Sequence, residues 1–397
     1  MLSKFSRRYV WLVLLLAAAS TGCAQQPQPV RQPRNVILFI GDGMGVGQIQ
    51  SARDYLGHPL VFETLAHRGK MTTRSASSEV TDSAAASTAM ATGYKVNNGV
   101  LSLAFPANAD YAAGAALPTV LEEMQRRGKS TGLVTTDVMT GATPAGFAAH
   151  QNSRGNTEAI AKDYFTRVRP TLLLGGAGKG VSPAAARAAG YRVVTNRQES
   201  QAAALENDKT VPSISGQFGT GLMPYEYDES EGYRTLPHLS EMTAAALKIL
   251  DRDPNGFFVM IEGERIDTAC HQNALERSVG ETIEFNRAVE TALAWAAKRT
   301  DTLIVITADH ETGGLKVIKD NGPGQYPAVT WTSKNHSGAP VPIEAKGLGE
   351  EAIADMQDNT QLHAILLDPA AVAQKVKEEH PPAAAVRRVE AAPAPSR

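Results

Sequence analysis

The sequence predicts an α/β fold, a mostly parallel central sheet with helices on both faces, and two observations carry that reading. Short apolar runs closed by Gly, Asp or Thr recur at Asn35 to Ile40, Ser130 to Thr135, Thr171 to Leu174, Phe257 to Ile261 and Thr302 to Thr307. Continuous apolar runs of strand length suit strands covered on both faces. Between them lie alanine-rich stretches with helical periodicity, Leu117 to Arg127, Ser240 to Leu250 and Gly280 to Lys298, the last with Ile283, Val289, Leu293 and Trp295 along one side. Strand alternating with helix is the pattern of a parallel sheet.

A chain of 397 residues that is 43% hydrophobic can bury a large core. The net charge of -2, with no long basic tract, argues against nucleic acid as a dedicated partner. At the N-terminus, Lys4, Arg7 and Arg8 precede an apolar run from Tyr9 to Ala19, too short to span a bilayer. Residues 1–22 therefore read as an export signal. Ser20-Thr21-Gly22-Cys23 resembles a bacterial lipoprotein box with Cys23 as the acylated residue, so membrane attachment is expected only through that lipid; the small residues up to Ala24 leave ordinary cleavage as the alternative. Cys270 is the other cysteine, so no disulfide is expected once Cys23 is acylated or removed, which suits a bacterial periplasm or a periplasm-facing membrane.

Residues 23–34 are polar and proline-bearing, as a tether would be. The folded domain is expected over 35–367, with Gln198 to Arg234 as a surface excursion and an Ala/Pro-rich, disordered tail over 368–397.

In an open parallel sheet, ligands sit beyond the carboxyl ends of the strands. Three strands end there in acidic residues: Asp42, Glu262, and Asp309 beside His310. Singly each has an ordinary reading, Asp42 as a turn cap, Glu262 as a partner of Arg265, and Asp309-His310 as a helix cap. Together they would repel one another unless cations neutralise them, and an imidazole beside a carboxylate suits zinc. Asp267 and His271, four residues apart, fall on one side of a helical turn, where a salt-linked pair and a metal grip look alike. His336 could complete a three-ligand set. Ser83, opening the small-residue helix Ala84 to Ala91, has a helix N-terminus behind it, which favours a bound phosphate, although a plain cap has the same local sequence. Gly41, Gly43, Gly45 and Gly47 do not give the dinucleotide spacing, and Gly178-Lys179 lacks the rest of a nucleotide loop.

Gly41-Asp42-Gly43-Met44-Gly45, Val80-Thr81-Asp82-Ser83-Ala84-Ala85, Ala142-Thr143-Pro144-Ala145, Glu262-Gly263 to His271, Thr307-Ala308-Asp309-His310 and His336-Ser337-Gly338, in that order, resemble the alkaline phosphatase family over roughly Asn35 to Leu367. The resemblance implies a metal-dependent phosphomonoesterase acting through a phosphoserine on Ser83. It implies one zinc on Asp267, His271 and His336, a second on Asp42, Ser83, Asp309 and His310, and a magnesium sharing Asp42 with Thr143 and Glu262. Arg154 matches the arginine that clamps phosphate. Members commonly form homodimers. Gly141 stands where some bacterial members have an aspartate near the third metal, Thr268 stands where they have a phosphate-holding lysine, and Cys270 reads as a packed small residue. Two alternatives stay open: a phosphodiesterase of the same superfamily, and a non-catalytic phosphate-binding lipoprotein.

Overall fold

The computed structural model describes residues 32–206, 210–226 and 232–379. The export signal, Cys23, the tether up to Arg31 and the tail beyond Glu379 lie outside the described residues.

The apolar runs do become strands, and they are buried along their whole length rather than on alternate residues. Asn35–Gly41, Leu172–Gly176, Phe257–Gly263 and Thr302–Thr307 have no exposed position. Such burial requires cover on both faces. These strands form a nine-stranded sheet in the order His67–Met71, Val341–Gly347, Thr302–Thr307, Asn35–Gly41, Phe257–Gly263, Ser130–Val138, Leu172–Gly176, Ile214–Phe218 and Arg192–Val194. Every pairing from Thr302–Thr307 to Arg192–Val194 is parallel, and Val341–Gly347 runs antiparallel to both its neighbours. Ile40 lies opposite Glu262 on one side and Thr307 on the other, while Thr135 also faces Glu262. Four adjacent strands thus finish at one edge, and neighbouring strands lie about 4.8 Å apart. Acidic residues carried just past those ends are brought within a few ångströms of one another.

One helical layer packs Val46–Leu56 and Leu239–Leu250 against the long helix Leu275–Ala296. Phe285 from that helix meets Phe39 and Phe62 edge to face, at ring-centroid distances of 5.9 and 6.1 Å. The other layer contains Val120–Arg126, Ser83–Thr92 and Ala142–Ala148. All ten residues of Ser83–Thr92 are buried, which explains its composition of Ser, Ala, Thr and Met. Its partner approaches so closely that a Cβ on Gly146 would stand 2.2 Å from Ser87 Oγ. None of the described helices is long and apolar enough to cross a membrane.

Four expectations need correction. The helix expected from Leu117 starts at Val120, because Thr119 accepts from Glu122 N and the Glu122 carboxylate accepts from Thr119 N. The helix expected from Gly280 begins at Leu275, its packing outweighing the glycine. The stretch Gln198 to Arg234 is no mere surface excursion, since it contains most of the helix Arg197–Leu205 and the buried strand Ile214–Phe218. That strand is hidden in the sequence by Ser215 and Gln217, which are both buried, Gln217 Nε2 donating to Ser215 Oγ at 3.2 Å while Gln217 Oε1 has no partner. The expected disordered tail begins as a helix, Pro369–Glu379, which buries Ala370 and Ala373.

Gly146→Val is expected to destabilise the folded protein by about 1–3 kcal/mol through overpacking, read as a lower denaturant midpoint with the slope unchanged. A wild-type midpoint would contradict the close helix approach.

Candidate metal centre

The glycine turn after Asn35–Gly41 sets Asp42 at the strand edge. Gly43 takes φ +70, and a Cβ there would meet Asp267 Oδ1 at 2.6 Å, so only glycine lets the turn lie against that carboxylate. From the next strand, Asp309 accepts from Gly43 N at 3.2 Å and from His310 N at 2.9 Å. Asp309 and His310 are fully buried. They begin no helix, because the chain turns directly into the short strand Glu311–Thr312, which pairs with His336–Ser337 and carries His336 back to the same edge.

The His310 Nε2 atom is the hub. It stands 3.2 Å from Asp309 Oδ2, 3.5 Å from Asp42 Oδ1 and 3.3 Å from Ser83 Oγ. Its ring stacks on that of His336 with centroids 3.5 Å apart. Asp267 and His271 do share one face of the helix Arg265–His271, with Asp267 Oδ2 and His271 Nε2 at 3.0 Å. His336 Nε2 lies 3.1 Å from His271 Nε2 and 3.7 Å from Asp267 Oδ1. Backbone carbonyls orient both rings: Lys334 O faces His271 Nδ1, and Thr81 O is 2.9 Å from His336 Nδ1. An Nδ1–H donated to a carbonyl leaves the Nε2 lone pair facing the cluster, as a metal ligand requires.

Ser83 is the first residue of its helix, and Asp82 caps it by accepting from Ala85 N at 3.0 Å. The same Asp82 carboxylate accepts from Gly99 N at 3.0 Å and from Arg154 Nη1 at 3.2 Å. Arg154 is thereby held at the rim, half-exposed. Thr143, second in Ala142–Ala148, donates to Asp42 Oδ2 at 3.4 Å. Glu262 accepts from Thr135 Oγ1 rather than pairing with Arg265, and is fully buried. The structure therefore gathers Asp42, Ser83, Thr143, Glu262, Asp267, His271, Asp309, His310 and His336, with Arg154 beside them through Asp82. Cys270 points elsewhere, toward Gln48 Nε2 at 3.5 Å and Ser278 Oγ at 3.4 Å. Burial pushes its thiol up to about 12.

Sequence reasoning missed four residues in this neighbourhood. Thr135 bonds Glu262, Thr312 donates to Asp267 and lies 3.3 Å from His310 Nδ1, and Asp137 and Glu264 add two further carboxylates. The strand-end rule that found Asp42 would have found Asp137 had the strand been followed to Val138.

Electrostatics shows the strain of this assembly. Burial, then the charges of Asp309, Asp267 and Glu262, push the Asp42 carboxyl well above its usual range. Burial and Asp267 carry Asp309 to about 7. Burial and Asp137 raise Glu262 well above the usual glutamate value and Glu264 to about 8. Burial would raise Asp267 as well, but its hydrogen bond with His271 wins and holds it at about 2. The same bond, against burial, raises His271 to about 9. Burial drives His310 well below its ordinary value, so its imidazole is neutral.

Asp42 Oδ1, Asp309 Oδ2 and Glu262 Oε1 are buried without a hydrogen-bond partner. An ionised oxygen left so is costly, and a divalent cation is the partner that satisfies several at once. Ligand atoms of Asp267, His310 and His336, and separately of Asp42, Asp309 and His310, all lie within 4.8 Å of one another in their group. The donor set, carboxylates with imidazoles, fits divalent metal ions.

Comparison with known proteins agrees. The sequence model of the family described as alkaline phosphatase matches residues 33–171 and 176–329. The chain is 37% identical to alkaline phosphatase 3 of Bacillus subtilis, over 72% of this chain and 63% of that protein. It is 31% identical to streptomycin-6-phosphate phosphatase of Streptomyces griseus, over 88% of this chain and 93% of that protein. A cold-active alkaline phosphatase from a psychrophilic Shewanella superposes with TM-score 0.73 at 26% identity, covering 84% of this chain and 98% of that one. A variant of the alkaline phosphatase of the Antarctic bacterium TAB5, crystallised with magnesium in its M3 site, gives TM-score 0.74 at 27% identity, covering 87% and 99%. By this extent of match and by the order of its strand-end residues, the chain belongs to the alkaline phosphatase family.

Proposed function

We propose that this protein hydrolyses phosphate monoesters to an alcohol and inorganic phosphate through a phosphoserine on Ser83. The observation that carries the reading is the position of Ser83 Oγ, at a helix N-terminus and 3.3 Å from the hub atom His310 Nε2. Both family relatives above are phosphatases by name, which supports the same reaction class here.

In this reading Asp267, His271 and His336 hold one zinc, and Asp42, Ser83, Asp309 and His310 a second. Asp42, Thr143 and Glu262, an all-oxygen set, hold a magnesium. When bound, these cations supply positive charge to the phosphoryl oxygens and lower the pKa of a hydroxyl or water beside them.

Ser83 Oγ attacks phosphorus in line with the ester oxygen. The Oγ–P bond forms as Ser83 gives up its hydroxyl proton, the P–O ester bond breaks, and the departing alkoxide takes up one proton in exchange to leave as an alcohol. Water then attacks from the vacated side; its oxygen bonds to phosphorus, the Oγ–P bond breaks, Ser83 recovers a proton and inorganic phosphate departs. The positive end of the Ser83–Thr92 helix dipole favours the anion throughout. Arg154, tethered by Asp82, contributes parallel N–H donors to the non-bridging oxygens, a geometry lysine cannot offer. A monoester has oxygens for both that clamp and the metal groups, whereas a diester loses one to its second alcohol.

The reading includes export and attachment to the envelope through an acylated Cys23, supported by the basic and apolar N-terminal pattern. Cys23→Ser expressed in a bacterial host should abolish incorporation of labelled fatty acid and release activity from the membrane fraction; unchanged labelling would defeat this part.

Ser83→Ala should lower turnover of a nitrophenyl monoester by on the order of 10³-fold or more while keeping metal content near normal. Wild-type-like hydrolysis would remove Ser83 from the mechanism, and a preference for the matching diester in the unmodified enzyme would replace the substrate class.

Chelation supplies the next test, and its sign follows from the carboxylates. Asp42, Asp309 and Glu262 have folded-state values raised above their unfolded ones, so the metal-free fold binds these protons more tightly than the unfolded chain does. Their stabilising contribution is complete below the ordinary carboxylate range and is lost as pH rises, for Asp309 through about 7. His271, raised to about 9, adds loss in the same direction at higher pH, and the one group of the cluster that opposes this between pH 5 and pH 8 is His310, whose lowered value disfavours the fold only below the ordinary imidazole range. Metal-free protein should therefore melt at a lower temperature at pH 8 than at pH 5, and zinc with magnesium should restore more stability at pH 8. A melting temperature that is insensitive to chelation at pH 8 would contradict the metal assignment.

A further inference from the structure

We propose that Asp137 completes the magnesium site formed by Asp42, Thr143 and Glu262, standing in for the side chain that Gly141 lacks. The inference rests on the metal centre proposed above and assigns a residue to it that lies outside the six family motifs.

The geometry begins at Gly141. Its φ of -58 is an ordinary one for any residue, so backbone conformation does not demand glycine there. Space does. A Cβ on Gly141 would stand 1.8 Å from Asp137 Oδ2 and 2.6 Å from its Cγ. The Asp137 carboxylate thus fills the place from which a side chain at 141 would grow, two residues before Thr143. A carboxylate that cannot be supplied from the helix N-cap is supplied from the end of the strand Ser130–Val138.

Asp137 is also tied to Glu262. Its N–H donates to Thr135 Oγ1 at 2.8 Å, and that hydroxyl donates to Glu262 Oε2. Val138 N, at 2.6 Å, fixes the other carboxylate oxygen, Asp137 Oδ1. The two acids are close enough for their like charges to act on one another. Independently, Glu262 is fully buried and its Oε1 has no hydrogen-bond partner. Lys179, Arg154 and Arg265 bear on Asp137 from farther away, and among the described residues no ion pair joins it to any of them.

The donors around this point are all oxygens, which selects a hard cation over zinc. Asp42, Glu262 and Asp137 do not close to the spacing of the two groups that share His310. Magnesium tolerates this because it keeps several of its waters, and an outer carboxylate holds it by accepting from one of them. Asp137 is therefore a positioning residue for the ion, and its readout is magnesium affinity rather than turnover.

The test is a calorimetric titration of zinc-loaded protein with magnesium, with elemental analysis of the same samples. Asp137→Ala should weaken magnesium binding by roughly 10–100-fold, the usual cost of losing an outer-sphere partner, with zinc content unchanged. Adding Gly141→Asp to Asp137→Ala should return affinity to near wild type, since the overlap with the Asp137 carboxylate is then gone and the tightest contact left is Val138 O at 3.0 Å. Wild-type affinity in Asp137→Ala, or a loss that the added Gly141→Asp does not repair, overturns the assignment. If Asp137→Ala does not fold, the double variant alone decides: magnesium binding near wild type supports the exchange and its absence overturns it. Glu262→Gln separates the two levels of the argument. Undiminished magnesium binding in that variant would sink the magnesium site itself, whereas loss there with no effect at Asp137 would sink only this inference.

Discussion

Repulsion among Asp42, Asp267, Asp309, Glu262 and Asp137 is the constraint around which this edge of the sheet is organised. Four neighbouring strands and one short helix deliver these acids to a region from which water is largely excluded, so their charges are poorly screened. Left alone, most of them would take up protons, as the raised values at Asp42, Asp309 and Glu262 show. Asp267 escapes because His271 compensates it. A protein evolving merely for stability would replace such a cluster with apolar residues. Its retention, with lone-pair nitrogens aimed inward, makes sense when cations balance the charge.

Around the ligands lies a second layer that keeps them aimed. Gln48 accepts from Gly45 N at 3.1 Å and donates to Thr312 O at 2.7 Å and Glu311 Oε1 at 3.2 Å, binding the first glycine turn to the hairpin that carries His310 and His336. Asp82 does the equivalent for Ser83. Because one carboxylate caps the Ser83 helix, anchors Gly99 and holds Arg154, the Ser83 hydroxyl and the Arg154 guanidinium are positioned as one unit. A change at Asp82 would displace Ser83 and Arg154 together, which a change at Arg154 alone would not.

Much of this was legible because the site obeys a topological rule. Asp42, Glu262, Asp309 and His310 follow apolar runs, and a parallel sheet places whatever follows such runs at its ligand-binding edge. Asp267 and His271 were legible as a pair through helical spacing. The rest needed information that spacing does not hold. Arg154 sits in a loop, and its place depends on Asp82 and on its own N–H bonding to Gly99 O at 2.7 Å. Ile214–Phe218 was unreadable as a strand because Ser215 and Gln217 interrupt its apolar run although both are buried. Asp137 was passed over because the strand Ser130–Val138 loses its regular register with Leu172–Gly176 beyond Val134, where the apolar pattern also ends.

The proposed ligands span positions 42 to 336, so no local segment can bind a cation with the full set. Asn35–Gly41 must first pair with Phe257–Gly263 and Thr302–Thr307, contacts separated by more than half the chain, before Asp42 meets Asp309. Such non-local pairing is slow and carries a large loop-closure cost. Cations that bind only the assembled edge stabilise the native state by mass action without helping to build it. The apolar sheet, complete on both faces, therefore has to hold the acids together by itself until the metals arrive. This accounts for a core that is continuous beneath a site whose own interactions, without cations, are unfavourable.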